Sequence, residues 1–333
     1  MLLHEDQASG GVRTISLTLC QALLQRGWPV RELTLSESSW RQRWSAARQC
    51  DVLLASHNFR PAYLAWVLGM LARKPVLVCV HGPLQEVLAQ ARASRLKCCW
   101  LRWLYRRVPY FVFVSRATAD SFLRFMQRPL AAHQHAVVIA NAVAQAAPTS
   151  AAQPEWDAQT VIQLGYVGRL SPEKQPGLML AMLRLLPVRF RLTLVGDGPL
   201  RDELGRAGAD LIANGRLTLA GAQPHGAALY TPWQLTLLAS LYEGCPMTLL
   251  ESLAAGVACV ALPIPAIREV VGTDAPYLLA HDSTAQALVD AVQAVCALPQ
   301  RQLQIDMARV LARHQLGNFV QRWQTALQQA AGC

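Results

Sequence analysis

Long hydrophobic runs are missing from this sequence of 333 residues, although 53% of its residues are hydrophobic and only 16% are charged. The longest apolar run, residues 63–72, is far shorter than the roughly 20 residues that a membrane-spanning helix needs. The N-terminus, MLLHEDQASGG, lacks the basic start and the apolar middle of a secretory signal. We therefore expect a cytoplasmic protein that does not cross a membrane.

Cysteine pairs of the CxxC type and Asp-x-Asp motifs are also missing. The nine cysteines are an odd number, and several, such as Cys79 and Cys259, lie in apolar runs. This pattern predicts buried free thiols rather than a disulfide framework or a zinc site. Without Asp-x-Asp there is no obvious carboxylate cradle for a divalent cation that holds a diphosphate. We therefore expect no metal and no other cofactor.

Lysine is scarce, and Lys74, Lys97 and Lys174 are the only lysines among 31 basic residues. With 21 acidic residues the formal net charge is +10. A positive balance of this size suits anionic lipid, nucleic acid or phosphorylated substrates, so the positions of the cations decide among them.

Short apolar runs alternate with helix-period segments along the whole chain. This alternation predicts βαβ crossovers and mostly parallel sheets covered on both faces. Residues 144–158 lose the periodicity and gather Ala, Pro, Gln and Ser, which is typical of a linker. We predict two doubly wound, Rossmann-like α/β domains, residues 1–143 and 159–315, with a C-terminal helix at 316–333 that can return to the first domain. The predicted strands span residues 2–4, 30–35, 52–55, 76–80, 110–114 and 136–139, then 161–167, 191–195, 217–220, 235–238, 257–262 and 277–279.

Two cations follow the first strand of the second domain, in the segment YVGRLSPEKQ. Ser171 and Pro172 have the pattern of a helix N-cap and first residue, which predicts a helix start there. Lys174 in that first turn opposes the positive end of the helix dipole, and a bound anion would resolve the conflict. Arg169, Lys174 and the free amides of the turn can clamp a diphosphate. The alternative is a solvated helix start with incidental charges.

Two glutamates, Glu243 and Glu251, lie eight residues apart in SLYEGCPMTLLESLAAGVACVAL. Glu243 precedes a glycine in a loop and has no local structural reason for its charge. Glu251 has capping-box spacing from Thr248, so it can instead cap its own helix, which Gly256 would end. Both roles stay open for Glu251.

Two further segments follow predicted strands. Gly196, Asp197 and Gly198 invite a dinucleotide interpretation, but position 201 is arginine where GxGxxG needs its third glycine. His81, in VLVCVHGP, is either a turn histidine or a group at the reacting centre.

The segment 92–107, RASRLKCCWLRWLYRR, combines six basic residues with leucine and aromatic side chains. Helical spacing puts Leu96, Trp100, Trp103, Leu104 and Arg107 along one side, which indicates an interfacial helix on anionic lipid. The alternative is a helix packed on the sheet with a solvated basic face. No base-reading module accompanies the cluster, so no nucleic-acid partner is expected. The expected membrane contacts are Arg92, Arg95, Lys97, Trp100, Arg102, Trp103, Arg106 and Arg107.

These motifs together resemble the group 1, or family 4, retaining glycosyltransferases of GT-B fold. QASGGVRT is similar to the family's N-terminal glycine loop, VLVCVHGP to its histidine loop, and FVFVSRAT and VIANAV to later strands of the first domain. YVGRLSPEKQ, LVGDGPLRDEL and SLYEGCPMTLLESLAAGVACVAL look like the three motifs of the donor domain. The order and spacing match over nearly the whole chain.

The resemblance implies an active site in the cleft between two Rossmann-like domains, with the acceptor on the first and the nucleotide sugar on the second. It implies that Arg169, Lys174 and Gly11 approach the donor diphosphate and that Glu251 binds the ribose. It places Glu243 and His81 at the reacting centre as catalytic residues. The loop Gly196, Asp197 and Gly198 would bind the nucleotide, and the donor sugar would contact Gly244, Cys245, Pro246 and Met247.

The sequence departs from the family in a first strand shorter than usual, since Met1 lies nine residues before Gly10. Cys245 also replaces the aromatic residue or leucine common after Glu-Gly, so the resemblance does not fix the shape of the sugar pocket.

The function implied is transfer of a hexose from a nucleotide diphosphate sugar, UDP-linked, to a lipid-linked saccharide at the inner face of the cytoplasmic membrane. EGCPMTLLE is similar to transferases of lipopolysaccharide or surface-polysaccharide synthesis. The alternatives are a GT-B sugar phosphorylase or epimerase and a non-catalytic protein that binds sugar nucleotides.

Overall fold

The computed structural model describes residues 1–5, 10–143, 156, 160–224 and 226–332. The chain divides into two compact units. Unit 1 contains Met1–Ala142 and Leu316–Cys333, and unit 2 contains Val143–Gln315. The predicted linker, 144–158, lies outside the described residues apart from Trp156.

Apolar, β-branched runs form eleven strands in the described part of the chain, all paired in parallel. The strands of unit 1 form one sheet in the order β2-β1-β3-β4-β5-β6, and those of unit 2 form another in the order β11-β10-β7-β8-β9. The strands are β1 Leu2–His4, β2 Glu32–Thr34, β3 Leu53–Ala55, β4 Val76–Val80, β5 Tyr110–Phe113, β6 His135–Val138, β7 Ile162–Val167, β8 Phe190–Val195, β9 Leu217–Gly221, β10 Leu235–Leu238 and β11 Ala258–Ala261.

Helices connect successive strands, as crossovers between parallel strands require. They are α1 Gly11–Gln25, α2 Trp40–Gln49, α3 Arg60–Ala72, α4 Leu84–Gln90, α5 Arg95–Tyr105, α6 Arg116–Met126, α7 Pro176–Leu185, α8 Arg201–Ala207, α9 Ala209–Ala213, α10 Met247–Ala254, α11 Pro265–Val271, α12 Ala285–Cys296, α13 Gln300–Ala312 and α14 Leu316–Ala331. Short 3-10 helices span Pro172–Lys174, Ala227–Leu229 and Pro276–Leu278.

The predicted α/β fold class is confirmed, with two doubly wound parallel sheets. The predicted strand at 277–279 is wrong, because this segment forms the 3-10 helix Pro276–Leu278. Amides of Leu278 and Leu279 donate to carbonyls three residues back, and only Ala280 donates to the neighbouring strand, at Ala261. Local turn bonds therefore replace the strand ladder.

The core of unit 1 is buried on both sides of its sheet. Every residue of β3 and β4 is buried, and the rings of Phe111, Phe113 and Phe122 pack in mutual contact against Tyr105. The last helix, α14, completes this unit by packing against α1 and β4. The two sheets are therefore held by separate cores, and the chain returns to the first unit at its end.

The core of unit 2 explains an unusual glycine inside β7. A Cβ at Gly165 would lie 2.0 Å from the ring of Trp233, so only glycine leaves room for that buried indole. Trp233 packs perpendicular to Tyr230, with ring centroids 6.0 Å apart. This packing fixes Tyr230, whose hydroxyl donates a hydrogen bond to Glu251.

Candidate functional site

The loop that follows β7 carries both predicted phosphate-binding cations. The Arg169 side chain is exposed, and its carbonyl accepts a hydrogen bond of 2.9 Å from the hydroxyl of the buried Tyr166. A helix does begin at Ser171 and Pro172 as predicted, with Ser171 as its N-cap, but it is a 3-10 helix of only three residues. Gln175 then adopts a left-handed conformation with φ 46°, and α7 begins at Pro176.

The loop that follows β8 packs directly against this segment. A Cβ at Gly196 would lie 1.8 Å from the carbonyl oxygen of Gly168, and a Cβ at Gly198 would lie 2.4 Å from that of Leu170. The Leu170 amide donates to the Asp197 carbonyl at 2.9 Å. The glycines therefore have a structural role, because they let the two loops meet. Nucleotide binding by Gly196, Asp197 and Gly198 stays a prediction.

Lys174 and Glu243, which are 69 residues apart in sequence, form an ion pair. Lys174 Nζ donates to Glu243 Oε1 at 2.5 Å, and the two side chains are 24% and 13% exposed. The hydroxyl of the buried Ser240 donates to the same oxygen at 2.7 Å. The backbone joins the two loops as well, because the Leu241 amide donates to the Glu173 carbonyl at 2.8 Å. The structure thus brings together Lys174, which was predicted to bind the diphosphate, and Glu243, which was predicted to be catalytic.

The residues after Glu243 lead into α10. Gly244, Cys245 and Pro246 are buried, and Met247 is the first residue of the helix. The first amides of a helix have no carbonyl partner within it, so this turn offers donors to ligand oxygens. The predicted contact of these four residues with a sugar stays a prediction.

Glu251 lies on α10, where its Oε2 accepts a hydrogen bond of 2.7 Å from the Tyr230 hydroxyl. The alternative of a capping box with Thr248 is wrong, because the helix begins at Met247 and its N-cap is Pro246. Thr248 is therefore already inside the helix. The predicted end of the helix is confirmed, since Gly256 follows the last turn with φ 79°.

The protonation state of Tyr230 fixes the direction of its hydrogen bond with Glu251. Burial raises the pKa of the Tyr230 hydroxyl, and the neighbouring Glu251 carboxylate raises it further. Tyr230 therefore stays protonated and donates to Glu251. This hydrogen bond holds the Glu251 carboxylate in one orientation and uses only one of its two oxygens.

In unit 1, the predicted residues Gly11 and His81 lie at the carboxyl edge of the sheet. Gly11 begins α1, and His81 follows β4. Burial lowers the pKa of His81 to about 3, and the charges that His57 and His4 would carry lower it as well. His81 is therefore neutral near pH 7.

The sequence interpretation missed a cavity at this edge of unit 1. It has a volume of about 530 Å³, and its lining includes His4, Glu5, Arg13, His57 and Arg60. Glu5 lies 3.9 Å from Arg60 and 4.0 Å from the ring of His57. The rule that ligands bind where strands end could have found these residues, because Glu5 and His57 follow β1 and β3.

The structure also brings together three side chains with metal-ligand chemistry that no CxxC spacing marks in the sequence. Among the described residues, the ligand atoms of His4, Cys20 and Glu32 lie within 4.8 Å of one another. Arg13 Nη1 lies 3.3 Å from Glu32 Oε1, and His4 Nε2 lies 3.2 Å from the same oxygen. The guanidinium already balances the carboxylate and would repel a cation, so we do not assign a metal to this group.

The basic segment forms α5, and the interpretation of its faces needs two corrections. Leu104, placed on the exposed side, is fully buried beside Leu101 and Tyr105. Arg102, an expected membrane contact, packs inward, where its Nε donates to the Phe125 carbonyl at 2.7 Å and its guanidinium covers the Phe125 ring. The exposed residues among the expected contacts are Arg92, Arg95, Lys97, Trp100, Trp103, Arg106 and Arg107.

No helix in the described ranges combines the length and the apolar character that crossing a bilayer requires.

Comparison with known proteins identifies both units. Residues 162–297 match the family model described as glycosyl transferases group 1, and residues 31–147 match that of glycosyltransferase family 4. The chain is 30% identical over 150 residues to the GDP-mannose-dependent alpha-(1-6)-phosphatidylinositol dimannoside mannosyltransferase of Mycobacterium tuberculosis (strain ATCC 25177 / H37Ra). That stretch is 44% of this chain and 38% of the relative. Two curated relatives are matched over only 26% and 38% of their length.

Solved structures resemble the chain over nearly its whole length. Anabaena Alr3699/HepE in complex with UDP and glucose superposes with a TM-score of 0.77 at 16% identity, covering 98% of both chains. The apo form of the lipopolysaccharide outer core galactosyltransferase WaaB gives 0.69 at 13% identity, again covering 98% of both chains. These similarities show the fold. The chain belongs to the group 1 and family 4 glycosyltransferases and has their GT-B fold.

Proposed function

We propose that the chain is a retaining hexosyltransferase that uses a nucleotide diphosphate sugar, UDP-linked, and acts on a lipid-linked saccharide of lipopolysaccharide or surface-polysaccharide synthesis. The observation that carries the proposal is the Lys174–Glu243 ion pair, whose lysine lies in the same segment between β7 and α7 as the exposed Arg169. These groups lie at the carboxyl edge of the sheet of unit 2, where doubly wound sheets bind nucleotides.

In this proposal Arg169 and Lys174 neutralise the donor diphosphate. Two cations supply charge-assisted hydrogen bonds to phosphate oxygens, which are about twice as strong as neutral ones. The exposed guanidinium of Arg169 is free to turn toward a ligand, whereas Lys174 is held by Glu243. Gly11, at the start of α1, is also proposed to bind phosphate, because the amides of a helix N-terminus attract anions.

Glu243 has two successive partners in this proposal. Without donor it balances Lys174, which is largely removed from water. When a diphosphate takes over Lys174, the Glu243 carboxylate becomes available to accept hydrogen bonds from the hydroxyls of the transferred hexose. The backbone amides of Gly244, Cys245 and Met247 would donate to the same sugar, and Pro246, which has no N–H, would contact it.

Glu251 is proposed to bind the ribose. Tyr230 fixes one of its carboxylate oxygens, so the second can accept hydrogen bonds from the ribose hydroxyls. The loop Gly196 to Gly198 packs against the Arg169 loop and would border the same nucleotide.

The chemical step is proposed as attack on the face of the hexose that the diphosphate leaves, which retains the anomeric configuration. The leaving diphosphate helps to deprotonate the acceptor hydroxyl, and Arg169 and Lys174 stabilise the charge that develops on it. We assign the neutral His81 to the acceptor side, where it can accept a hydrogen bond.

The choice of UDP rests on the solved complexes of HepE with UDP and with UDP-glucose. The mycobacterial relative is named for GDP-mannose instead, so both nucleotides are compared in the test. The lipid-linked acceptor is supported by the exposed cations of α5, which would hold unit 1 at the anionic inner face of the cytoplasmic membrane.

Two other functions use the same binding residues. A GT-B phosphorylase or epimerase would release or convert the sugar without an acceptor saccharide, and a non-catalytic protein would bind the donor without turning it over. Appearance of the hexose on an acceptor saccharide, with release of the nucleoside diphosphate and without inorganic phosphate, separates transfer from all of these.

The test of the donor is a thermal shift screen of UDP-glucose, UDP-galactose, UDP-N-acetylglucosamine and GDP-mannose against the free nucleotides. A ligand at 100 times its Kd adds about 2.7 kcal/mol to the free energy of unfolding, which is readily measured. The proposal expects the largest shift with a UDP-hexose. No shift with any of these compounds would contradict it.

A further inference from the structure

Two helices of unit 1 expose large apolar side chains in the described structure. On α3 these are Tyr63, Met70 and Leu71, which are 44%, 58% and 53% exposed. On α5 they are Leu96, Trp100 and Trp103, which are 83%, 42% and 40% exposed. Large apolar side chains of a soluble monomer are usually scattered, so a group of six on two neighbouring helices indicates an interaction surface.

Aromatic contacts join the two helices into one surface. The ring centroids of Tyr63 and Trp100 are 5.0 Å apart, and those of Trp66 and Trp103 are 5.2 Å apart. Tyr63 and Trp66 are themselves 6.5 Å apart, so the four rings form a continuous row. The Arg107 guanidinium lies 3.8 Å from the centroid of Trp103. We call the exposed side chains of α3 and α5 the α3–α5 surface.

The charges of the α3–α5 surface have one sign. Neither α3 nor α5 contains an aspartate or a glutamate, and none occurs in residues 91–107. Exposed cations flank the apolar side chains at both helices, and they are Arg60, Arg73, Arg92, Arg95, Lys97, Arg106 and Arg107. An apolar centre with a rim of cations is complementary to a bilayer with anionic headgroups.

The helix α3 also connects this surface to the cavity of unit 1. Its first residue, Arg60, is among the residues that line the cavity, and Tyr63 lies one turn further along. Residues three apart on a helix are neighbours on its surface. The path from the cavity to the apolar side chains is therefore about one helical turn.

We infer that the α3–α5 surface lies on an anionic bilayer, with α3 contributing apolar contact as well as α5, and that a lipid-linked acceptor reaches the cavity along α3. The inference rests on the proposed function for the identity of the acceptor, but not for the bilayer contact. The occupant is a membrane rather than a protein, because its anionic headgroups match the cations on both helices while its apolar interior accepts all six apolar side chains.

The test compares three full-length proteins by co-sedimentation with vesicles of phosphatidylglycerol and phosphatidylethanolamine. The α3 variant carries Tyr63→Ser, Met70→Ser and Leu71→Ser, which leave every cation in place. The control carries Leu185→Ser and Val188→Ser, two similarly exposed apolar residues of unit 2. Burial of apolar side chains contributes a large part of interfacial binding. We therefore expect the α3 variant to partition onto the vesicles roughly tenfold more weakly than the parent, and the control to partition as strongly as the parent.

Three results would overturn the inference. The first is equal binding of the parent and the α3 variant, and the second is no binding of the parent at low salt. The third is a parent that forms dimers in solution which the α3 variant loses, since a second copy would then cover the surface. A parent that binds vesicles of neutral phosphatidylcholine as tightly as anionic ones would contradict the role of the cations.

A donor measurement on the same proteins separates this inference from the proposed function. The α3 variant should keep the parent's thermal shift with UDP-sugars, which also shows that it is folded. A parent that ignores every nucleotide sugar but binds anionic vesicles would refute the proposed function and leave the bilayer contact standing. An α3 variant that loses both vesicle binding and the thermal shift is misfolded. Leu96→Ser, at the most exposed apolar position of α5, then replaces it, and we expect this variant to bind vesicles more weakly and to keep the thermal shift.

Discussion

Lys174 Nζ lies 2.5 Å from Glu243 Oε1, so a cation expected to bind phosphate is already paired with a carboxylate expected to act on the sugar. Both side chains are mostly removed from water. A partly buried pair of this kind is costly to break unless another charge replaces one partner. A donor diphosphate is such a charge, and this exchange would couple donor binding to the release of Glu243.

If a donor diphosphate replaces Glu243 as the partner of Lys174, the interaction energy between these two residues should depend on whether donor is bound. A double-mutant cycle with Lys174→Gln and Glu243→Gln should give a coupling of roughly 0.5 to 3 kcal/mol in urea denaturation without ligand. Saturating UDP should reduce the coupling, because Lys174 then contacts phosphate. The single Glu243→Gln variant should also lose turnover, while Glu203→Gln, on the exposed face of α8, should keep it. A coupling that UDP leaves unchanged would argue against the exchange.

Arg169→Ala should weaken the binding of nucleotide diphosphates by about ten- to a hundredfold, since a charge-assisted contact contributes roughly 1.5 to 3 kcal/mol. The guanidinium is exposed, so the stability of the protein should change little. Calorimetric titration with UDP and UMP measures the effect, and UMP should lose less. The matched control is the exposed Arg206→Ala. Equal losses for uridine, UMP and UDP would rule out contact with the diphosphate.

Glu251→Gln should raise the donor KM, because an amide binds ribose hydroxyls less strongly than a carboxylate does. Since Glu251 does not cap its helix, the variant should not show the loss of about 0.5 to 2 kcal/mol that follows removal of a cap. Tyr230→Phe removes the bond that orients Glu251 and should raise KM less. Donor kinetics and thermal melts of both variants check this. Unchanged KM in Glu251→Gln would exclude it from the ribose site.

His81 should make unit 1 sensitive to acid. Its pKa is about 3 in the folded protein, below the ordinary histidine value of about 6.5. As the pH falls below about 6.5 the unfolded chain gains a proton that the folded protein excludes, so the free energy of unfolding should decrease by up to about 1.4 kcal/mol per pH unit. Above that range His81 contributes no pH dependence.

Urea denaturation at about pH 7 and about pH 5 compares the parent with His81→Gln across that window. The variant should show a smaller decrease, although His4 and His57, whose pKa values are also lowered by burial, retain part of it. His133→Gln, at an exposed position, is the control. Identical slopes in the parent and His81→Gln would show that His81 is already protonated or exposed.

Much of this fold could be predicted from the sequence because its strands are short apolar runs between helix-period segments. Those runs are buried on both faces in parallel sheets, and so their hydrophobicity marks them clearly. The failure at 277–279 has a local cause, since the amides there satisfy carbonyls three residues back. The helix predicted to start at Ser171 does start there but stops after three residues, because the left-handed Gln175 interrupts it and Pro176 suits the first turn of α7.

The site was predictable only in part. Arg169, Lys174 and Glu243 follow strands, which sequence patterns indicate, but the ion pair between loops 69 residues apart is a tertiary contact. The same limit applies to α5. Its periodicity could not show that Leu104 faces the core, nor that Tyr63 from α3 packs on Trp100. The neighbours of a helix decide which of its apolar residues are covered.

The most direct test of the central claim is the anomeric configuration of the product. The purified protein is incubated with a UDP-α-hexose labelled with ¹³C at its anomeric carbon and lipid-linked saccharides extracted from bacterial membranes, without inorganic phosphate, and the product is examined by NMR. The account predicts release of UDP together with an α-linked hexose on the lipid fraction, both lost in Glu243→Gln and reduced in Arg169→Ala. A β-linked product, or turnover that requires inorganic phosphate, would contradict it.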